Sequence, residues 1–240
     1  TRYQMNHPNQ SRLAVAILAS CLALAGCRGK EATGPGSEPT GATATVEEQT
    51  ASQRTYRFRI HPELPEFAFT LVGDPVSESK DTLHVKKIEV RRGASSEPIQ
   101  VIEGLDTATP ISLNTPALAL LDMNFDGYGD IRLVESRPAG PNIPYLNWLF
   151  DPGSGRFVES PALNAITSPQ FDPATREIRS NWRDGATRYG TDVYVVGEDG
   201  PVLVRKELKV YKAPGVYTSQ VSELVDGVWK IVEQREVRDP

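Results

Sequence analysis

The chain of 240 residues carries 26 Lys and Arg against 31 Asp and Glu, which gives a formal net charge of −5 at pH 7. This acidic balance argues against nucleic acid as a partner, because the phosphate backbone selects basic surfaces. With only 2 cysteines, the sequence also excludes a small fold held together by several disulfides.

The first segment has the features of a bacterial export signal. Arg12 precedes an apolar run from Leu13 to Gly26, which is too short to span about 30 Å of hydrocarbon. The run ends in Leu24-Ala25-Gly26-Cys27, which resembles the lipobox of bacterial lipoproteins, in which the cysteine is lipidated and becomes the mature N-terminus. A buried core helix fits poorly, because polar residues follow directly. We therefore expect residues 1–26 to be a lipoprotein signal peptide and Cys27 to be the lipidation site.

This interpretation predicts the compartment. Removal of residues 1–26 takes away Arg2, Arg12 and Cys21, so the mature chain keeps 24 basic and 31 acidic residues, a net charge of −7, and no pair of cysteines. The residue after Cys27 is Arg28 rather than an Asp that would favour retention in the inner membrane. We expect a location in the bacterial cell envelope, with the lipid in the outer membrane, the domain facing the periplasm, and membrane contact through the lipid alone.

The next segment has the composition of a flexible tether. After Cys27, residues 28–52 are rich in Gly, Pro, Thr, Ala and Glu, and Val46 is their only large apolar side chain. Such a segment cannot bury enough surface to order itself. The sequence therefore predicts a lipidated cysteine and disordered tether over residues 27–52, followed by a single all-β domain over residues 53–240.

The domain shows the pattern of a β protein. From Thr55 onward, short runs rich in Val, Ile, Tyr, Phe and Trp alternate with turn dipeptides, and no long helical periodicity occurs. Asp199-Gly200 and Asp226-Gly227 predict two tight hairpins. Between Leu83 and Val90, the apolar alternation shifts by one residue at Lys86-Lys87, which predicts a β-bulge.

A weak internal repeat bears on the architecture. Residues 149–157 recur as residues 170–178, each as a strand, a turn that begins with Asp-Pro, and a return strand. A repeated hairpin favours an antiparallel, β-propeller-like fold, with a β-sandwich as the alternative. The simpler explanation is that Asp-Pro is a good turn starter.

The most specific chemical signal is a calcium loop of the form DxNxDGxxD. Side-chain oxygens at positions 1, 3 and 5 converge on one hard cation, a glycine at 6 allows the sharp turn, and position 7 offers its backbone carbonyl. These positions are filled by Asp122, Asn124, Asp126, Gly127 and Tyr128, and Asp130 stands at position 9. The sequence therefore predicts Ca²⁺ as a cofactor, with Asp122, Asn124, Asp126, Tyr128 and Asp130 as ligands.

The loop departs from an EF-hand at position 12, where Leu133 replaces the bidentate glutamate. The flanks Leu118–Leu121 and Ile131–Val134 are short and apolar, so strands rather than helices are expected. The remaining ligands would come from Glu135, another loop or water. We expect an affinity near the weak end for extracellular modules, about 10⁻⁴ to 10⁻³ M. The alternative is an Asp- and Gly-rich turn without metal, in which three carboxylates would repel one another.

Several motifs together carry a resemblance to a known family. They are the calcium loop, Trp148-Leu149-Phe150-Asp151-Pro152, Gly155-Arg156-Phe157, Ile178-Arg179-Ser180, Gly185-Ala186 and Tyr189, over roughly Leu118 to Glu207. In this order they resemble the lipoprotein-type proteins typified by the immunity protein that guards bacteria against a lysozyme-like effector of a type IV secretion system. The resemblance implies a fold similar to periplasmic inhibitors of invertebrate-type lysozyme, and a calcium loop shared with integrin-like repeats.

The resemblance also implies a partner, namely a lysozyme-like or other cell-wall hydrolase whose cleft would receive a hairpin. The matching stretch runs from Ser180 to Tyr189, and its spacing departs from a compact Ser-Gly-x-Tyr motif. Arginines on a bent hairpin can pair with the two catalytic carboxylates of such a cleft. The partner-binding candidates are Trp182, Arg183, Asp184, Arg188 and Tyr189. The alternative is a polar hairpin end that binds nothing.

An enzymatic function finds little support in the sequence. The mature chain offers His61 and His84, no free thiol beside the lipidated cysteine, and no Gly-x-Ser-x-Gly elbow. We therefore expect a non-enzymatic lipoprotein that binds and inhibits a peptidoglycan-cleaving enzyme. The alternative is a calcium-binding structural or glycan-binding envelope module without inhibitory activity. A glycan hydrolase is the third and least favoured hypothesis, because nothing singles out two catalytic carboxylates.

Overall fold

The computed structural model describes residues 45–77, 79–111 and 117–238. The predicted signal peptide, Cys27 and most of the predicted tether lie outside these residues. The described chain forms antiparallel sheets with one short helix, so the all-β prediction is confirmed. None of the helices in this part of the chain is long and apolar enough to cross a membrane.

The strands form three sheets. The first contains β1 (Thr45–Gln49), β2 (Gln53–Phe58), β3 (Phe67–Val76), β4 (Ser79–Arg92), β5 (Gln100–Ile102) and β6 (Thr107–Pro110). The second contains β7 (Leu118–Leu121), β8 (Asp130–Val134), β9 (Tyr145–Asp151) and β10 (Arg156–Glu159). The third contains β11 (Pro169–Asp172), β12 (Glu177–Asp184), β13 (Arg188–Gly197), β14 (Gly200–Ala213), β15 (Val216–Val225) and β16 (Val228–Arg238). Helix α1 (Pro161–Asn164) links the second and third sheets.

Neighbouring strands are mostly neighbours in sequence. The first sheet has the order β1-β2-β3-β4-β5, with β6 also paired to β4, and the other two sheets are simple meanders. Strand β1 lies within the segment for which a disordered tether is expected, so the last part of that segment is a paired strand. The three sheets have six, four and six strands, whereas propeller blades have four each. A propeller-like arrangement is therefore not confirmed, and the packing of the first two sheets is sandwich-like.

The predicted bulge in β4 is present. Lys87 pairs with Val72 and Val85 pairs with Gly73, so Lys86 is the extra residue between them. The bulge lets Val85 and Ile88 point into the same core, although they are three residues apart.

Both predicted hairpins are present, and one is displaced. Val225 pairs with Val228, and the intervening Asp226 and Gly227 have φ values of 53° and 75°, as a type I′ turn requires. In the other hairpin Gly197 pairs with Gly200, so the turn lies at residues 198–199, one residue before the predicted Asp199-Gly200. The displacement arises because Gly200 itself is the first paired residue of β14.

The principal core lies between the first and second sheets. Its side chains come from alternating positions of strands in both sheets. Phe67 meets the rings of Phe150 and Phe157 edge-on, with centroids 5.9 and 6.0 Å apart. Each such pair contributes about 0.5 to 1.5 kcal/mol beyond its buried area, so this aromatic group is a major contact between the sheets.

A second core joins the loop after β7 to α1 and the third sheet. Its buried members are Met123, Phe125, Leu163, Ile166, Phe171 and Ile178. The Ser160 hydroxyl accepts a hydrogen bond from the backbone N–H of Leu163 and so caps the start of α1. The second core thereby connects the loop between β7 and β8 to the inner face of β12.

We expect Gly73→Ala to destabilise the protein by about 1 to 3 kcal/mol, because a Cβ at this position would collide with the backbone carbonyl of His84 beside the bulge. Urea unfolding would measure the loss. Gly140→Ala is the matched control, since a Cβ there meets open space. Equal stability of the two variants would contradict the described register of β3 and β4.

Candidate functional site

The DxNxDGxxD loop connects β7 to β8, as the sequence predicts. Leu118 pairs with Leu133, and Leu121 pairs with Asp130, so the loop closes a two-stranded ladder. Within the loop, Met123 and Phe125 are buried in the second core, whereas Asp126 is exposed. Apolar side chains of the loop thus enter the protein, whereas Asp126 faces solvent.

Side chains of the loop accept hydrogen bonds from its own backbone. The two carboxylate oxygens of Asp122 accept from the N–H groups of Asp126 and Gly127, both at 3.0 Å. Asn124 Oδ1 also accepts from Asp126 N at 3.2 Å, and Asp126 Oδ1 accepts from Tyr128 N at 2.8 Å. These bonds fold the chain tightly around the three oxygen-bearing side chains at positions 1, 3 and 5.

Two loop residues adopt left-handed backbone conformations. Gly127 has φ 92°, which glycine adopts without steric penalty, and Phe125 has φ 60°, which an aromatic residue rarely adopts. The Phe125 ring is held in the second core, with the Arg176 guanidinium 5.9 Å from its centroid. Burial of the ring therefore offsets the backbone strain.

Asp130 is fully buried and ties the loop to the second sheet. Its Oδ2 accepts from Met123 N and its Oδ1 from Phe150 N, both at 2.8 Å. Burial raises the pKa of Asp130 to about 7; the two N–H donors act against this rise, and the charges of Asp126 and Asp122 add to it. With a pKa of about 7, the Asp130 carboxylate of the calcium-free protein is only partly ionised at neutral pH.

This donor set fits a hard divalent cation. Side-chain oxygens at positions 1, 3 and 5 lie on one tight turn, with a third carboxylate, Asp130, close enough to feel the charges of Asp122 and Asp126. Within the described residues, no three His, Cys, Asp or Glu side chains converge as a metal site on their own. A loop of this type also uses an Asn oxygen and a backbone carbonyl, so a carboxylate count understates its donors. Calcium binding stays a prediction.

The predicted partner-binding residues lie together on the hairpin of β12 and β13. Trp182 pairs with Gly190, Arg183 with Tyr189, and Asp184 with Arg188. The Arg183 guanidinium lies 5.3 Å from the Tyr189 ring centroid, and Arg188 lies 5.9 Å from that of Trp182. Because residues that pair share a face of the sheet, the five residues divide between two faces of the hairpin.

Hydrogen bonds from Asn142 and hydrogen bonds within the hairpin hold the hairpin tip in place. The side-chain amide of Asn142 donates to the Arg183 carbonyl and accepts from the Arg183 N–H, both at 2.9 Å, as a paired strand would. Arg183 Nε donates to the Gly185 carbonyl, and the Tyr189 hydroxyl donates to the Ala186 carbonyl. Residues 183–188 are nevertheless exposed, so the tip is both ordered and accessible.

A groove of about 420 Å³ lies beside this hairpin. Its lining includes Trp182, Arg183 and Tyr189 from the predicted set, but not Asp184 or Arg188. The sequence pattern missed Asn181, Glu207 and Lys209, which also line it. Glu207 and Lys209 come from β14, where they pair with Thr191 and Tyr189. Only the register between β13 and β14 places them here, and no local motif indicates that register.

The two histidines of the domain lie elsewhere. His61 accepts a hydrogen bond from Glu63 N and stacks on the Tyr128 ring at 4.5 Å. His84 Nε2 lies 2.7 Å from an oxygen of Asp106. The first histidine therefore packs on the calcium loop, and the second forms a surface pair.

No protein-family model matches the sequence, and a comparison with curated proteins gives no match. Among solved structures, the fold is similar to that of a chain described as a Xanthomonas type IV secretion system related protein. The TM-score is 0.57 at 17% identity, over 75% of this chain and 99% of that chain. At this identity, the similarity shows a common fold.

We expect Asp126→Asn to abolish the effect of calcium on stability while preserving the metal-free fold. Asparagine keeps an oxygen to accept from Tyr128 N but removes the carboxylate charge. With a dissociation constant of about 10⁻⁴ to 10⁻³ M, about 10 mM calcium should stabilise the wild type by roughly 1.4 to 2.7 kcal/mol, or about 3 to 10 °C in Tm. Calorimetric melting in calcium and in chelator would measure this.

The matched control is Asp151→Asn, a surface aspartate in the Pro-containing turn after β9, which should respond to calcium as the wild type does. Identical melting of the wild type in both buffers would rule out a structural ion.

We expect the stability of the calcium-free protein to fall as pH rises from about 4 to 7. The pKa of Asp130 is raised from 3.8 to about 7, so in this window the folded state holds a proton that the unfolded chain has released. The full effect is at most about 4 kcal/mol. Urea unfolding across this range would measure the slope.

Asp130→Asn should be less stable overall, because one of two backbone N–H groups loses its acceptor, but its stability should lack this fall with pH. Parallel pH profiles of variant and wild type would contradict the assignment.

Proposed function

We propose that this protein is a calcium-stabilised lipoprotein of the bacterial envelope that binds and inhibits a peptidoglycan-cleaving, lysozyme-like enzyme. It acts by occupying the cleft of that enzyme and not by catalysis. The observation that carries the proposal is the exposed hairpin tip between β12 and β13, where two arginines stand on aromatic rings.

The chemistry of the tip suits a hydrolase cleft. A lysozyme-type cleft presents two carboxylates, and the guanidinium is the side-chain group that pairs most specifically with a carboxylate. Arg183 is pre-ordered by its bond to the Gly185 carbonyl and by the Tyr189 ring. Such pre-ordering lowers the entropy lost on binding. Trp, Tyr and Arg are also the side chains that dominate interface hot spots.

The arginine on the other face differs in its surroundings. Arg188 lies 3.7 Å from Asp184, and both side chains are more than half exposed. An exposed pair of this kind contributes little to stability, so Arg188 is free to exchange Asp184 for a carboxylate of the partner. The two arginines together can address two acidic groups.

The comparison supports the proposed location in the bacterial envelope. The similar solved structure is described as related to a type IV secretion system, and the sequence resembles immunity proteins against effectors of such a system. A secretion-associated role in the envelope agrees with both. In the proposal, the predicted lipid on Cys27 holds the domain where an incoming hydrolase would meet it.

The proposed calcium ion has a structural role. It would be held by Asp122, Asn124, Asp126 and Asp130 with the Tyr128 carbonyl, and it would offset the negative charge of the loop. Because Met123 and Phe125 of the same loop pack with Ile178 of β12, a stable loop supports the inner face of the strand that carries the hairpin.

We expect Arg183→Ala to weaken binding to the target hydrolase by about 30-fold or more, the loss that defines an interface hot spot. Binding would be measured by calorimetry of the purified protein against a panel of lysozyme-like enzymes, without glycan present. Arg183→Lys should recover only part of the affinity, because lysine cannot pair bidentately.

Arg156→Ala in β10 serves as the control, since Arg156 is also exposed but belongs to the second sheet. The proposal fails if the double variant Arg183→Ala, Arg188→Ala binds as tightly as the wild type, or if none of the enzymes binds the wild type.

A further inference from the structure

We propose that the groove beside the β12–β13 hairpin binds a short peptide that carries two carboxylates. This inference goes beyond the inhibition of a hydrolase and does not depend on it. It is based on one face of the third sheet, where two exposed cations without an acidic partner among the described residues lie beside a polar floor.

The groove lies on one face of the third sheet. Residues that pair directly across strands share a face, so the pairing of β12, β13 and β14 arranges six side chains of the lining in two rows. The first row is Asn181, Thr191 and Glu207, and the second row is Arg183, Tyr189 and Lys209. The Trp182 ring lies on the other face, beneath Arg188, and takes no part in the site.

Arg183 offers two guanidinium nitrogens to a ligand. Its Nε donates to the Gly185 carbonyl at 2.7 Å, and its guanidinium lies 5.3 Å from the centroid of the Tyr189 ring. Three other arginines on this face are each bound to a glutamate, namely Arg179, Arg205 and Arg235. Arg183 has no such partner among the described residues. Its Nη1 and Nη2 are therefore available for bidentate pairing with a carboxylate.

Lys209 is the second cation of the groove. It is exposed, its ammonium lies 5.6 Å from the centroid of the Tyr217 ring, and it has no acidic partner within the described chain. One strand separates β12 from β14, so the backbones of Arg183 and Lys209 lie about 10 Å apart at the usual strand spacing. An extended peptide covers about the same distance in three residues. Two carboxylates of one short peptide can therefore pair with both cations.

The first row supplies hydrogen-bonding groups of both kinds. The Thr191 hydroxyl donates to Asn181 Oδ1 at 2.7 Å, which orients the Asn181 amide and leaves its N–H donors for a ligand carbonyl. Glu207 Oε1 accepts from Arg205 Nε at 3.0 Å, so Oε2 remains as an acceptor for a ligand N–H. Because each peptide unit brings one carbonyl and one N–H, a peptide backbone matches this row.

The groove is accessible and has the size of a small-ligand site. Its volume of about 420 Å³ falls within the range of about 300 to 1,000 Å³ typical of ligand pockets. Asn181, Arg183 and Lys209 are all exposed, so a ligand reaches them without entering the core. Tyr189 lies between the two cations, and its hydroxyl donates to the Ala186 carbonyl. The fixed ring offers an apolar surface for a small side chain between two acidic ones.

The test is a titration of the purified protein with two peptides, followed by amide NMR. One is L-Ala-γ-D-Glu-meso-diaminopimelate, the stem tripeptide of peptidoglycan, and the other is N-acetyl-Glu-Ala-Ala-Glu-amide, which represents an acidic protein segment. We expect saturable shifts at Arg183, Tyr189 and Lys209 with at least one of them, and weaker binding as salt increases. The comparison of the two shows which source of carboxylates the groove accepts. The analogue with Gln in place of both Glu residues should not bind.

Lys209→Gln should weaken binding about 5-fold, the upper end for one exposed ion pair. Arg183→Gln should weaken it about 10-fold or more, because a bidentate pair is lost. Lys206→Gln is the matched control. Lys206 is also an exposed residue of β14, but its ammonium lies 4.2 Å from the centroid of the Trp229 ring on the other face, so this variant should bind as the wild type does.

The proposal is overturned if neither peptide shifts the three amides at about 10 mM, ten times a dissociation constant of about 1 mM. It is also overturned if the Gln analogue binds as well as the acidic peptide, or if Lys209→Gln and Arg183→Gln bind with wild-type affinity. No hydrolase is present in this experiment, and Lys209 is not part of the hairpin tip, so its failure leaves the hydrolase proposal untouched.

Discussion

The buried carboxylate of Asp130 is the constraint on which the middle of this structure depends. It joins the start of the loop, through Met123 N, to β9 in the second sheet, through Phe150 N. A carboxylate serves both donors at once because it has two oxygens, which an amide lacks. The same group places a charge in a buried position near the charges of Asp122 and Asp126. A divalent cation bound among these carboxylates would relieve this repulsion.

The loop also links the two hydrophobic cores. Tyr128 packs against the core between the first two sheets, and its ring lies 5.5 Å from that of Phe150. Met123 and Phe125 belong to the second core, together with Ile178 of β12. The loop is therefore in direct contact with both cores through Tyr128, Met123 and Phe125. The hairpin tip and the groove lie further along β12, so their geometry rests on the same contacts.

Much of the fold follows from local pattern. The parity shift at Lys86-Lys87 predicts the bulge, Asp226-Gly227 predicts the hairpin, and the apolar runs beside the calcium loop predict its strands. All three are present because alternation and turn chemistry are local properties. The propeller-like expectation is not confirmed, since two copies of a hairpin do not determine how many strands each sheet collects.

Only part of the candidate site can be predicted from the sequence. Spacing alone indicates the loop residues, whereas the hairpin that carries Trp182 and Arg183 is indicated by the family resemblance. The contributions of Glu207 and Lys209 depend on the pairing of β13 with β14. Asn142 contributes because its side-chain amide bonds to the backbone of Arg183, as a neighbouring strand would. These contacts join residues distant in sequence, and no composition or period marks them.

If one calcium ion balances the carboxylates of this loop, a calcium titration of the metal-free protein followed by amide NMR will reveal its binding. We expect one saturable transition with a dissociation constant of about 10⁻⁴ to 10⁻³ M, and shifts that begin at Asp126, Gly127 and Tyr128 and extend to Met123 and Phe150. Unchanged signals from these five amides at about 10 mM calcium would contradict it.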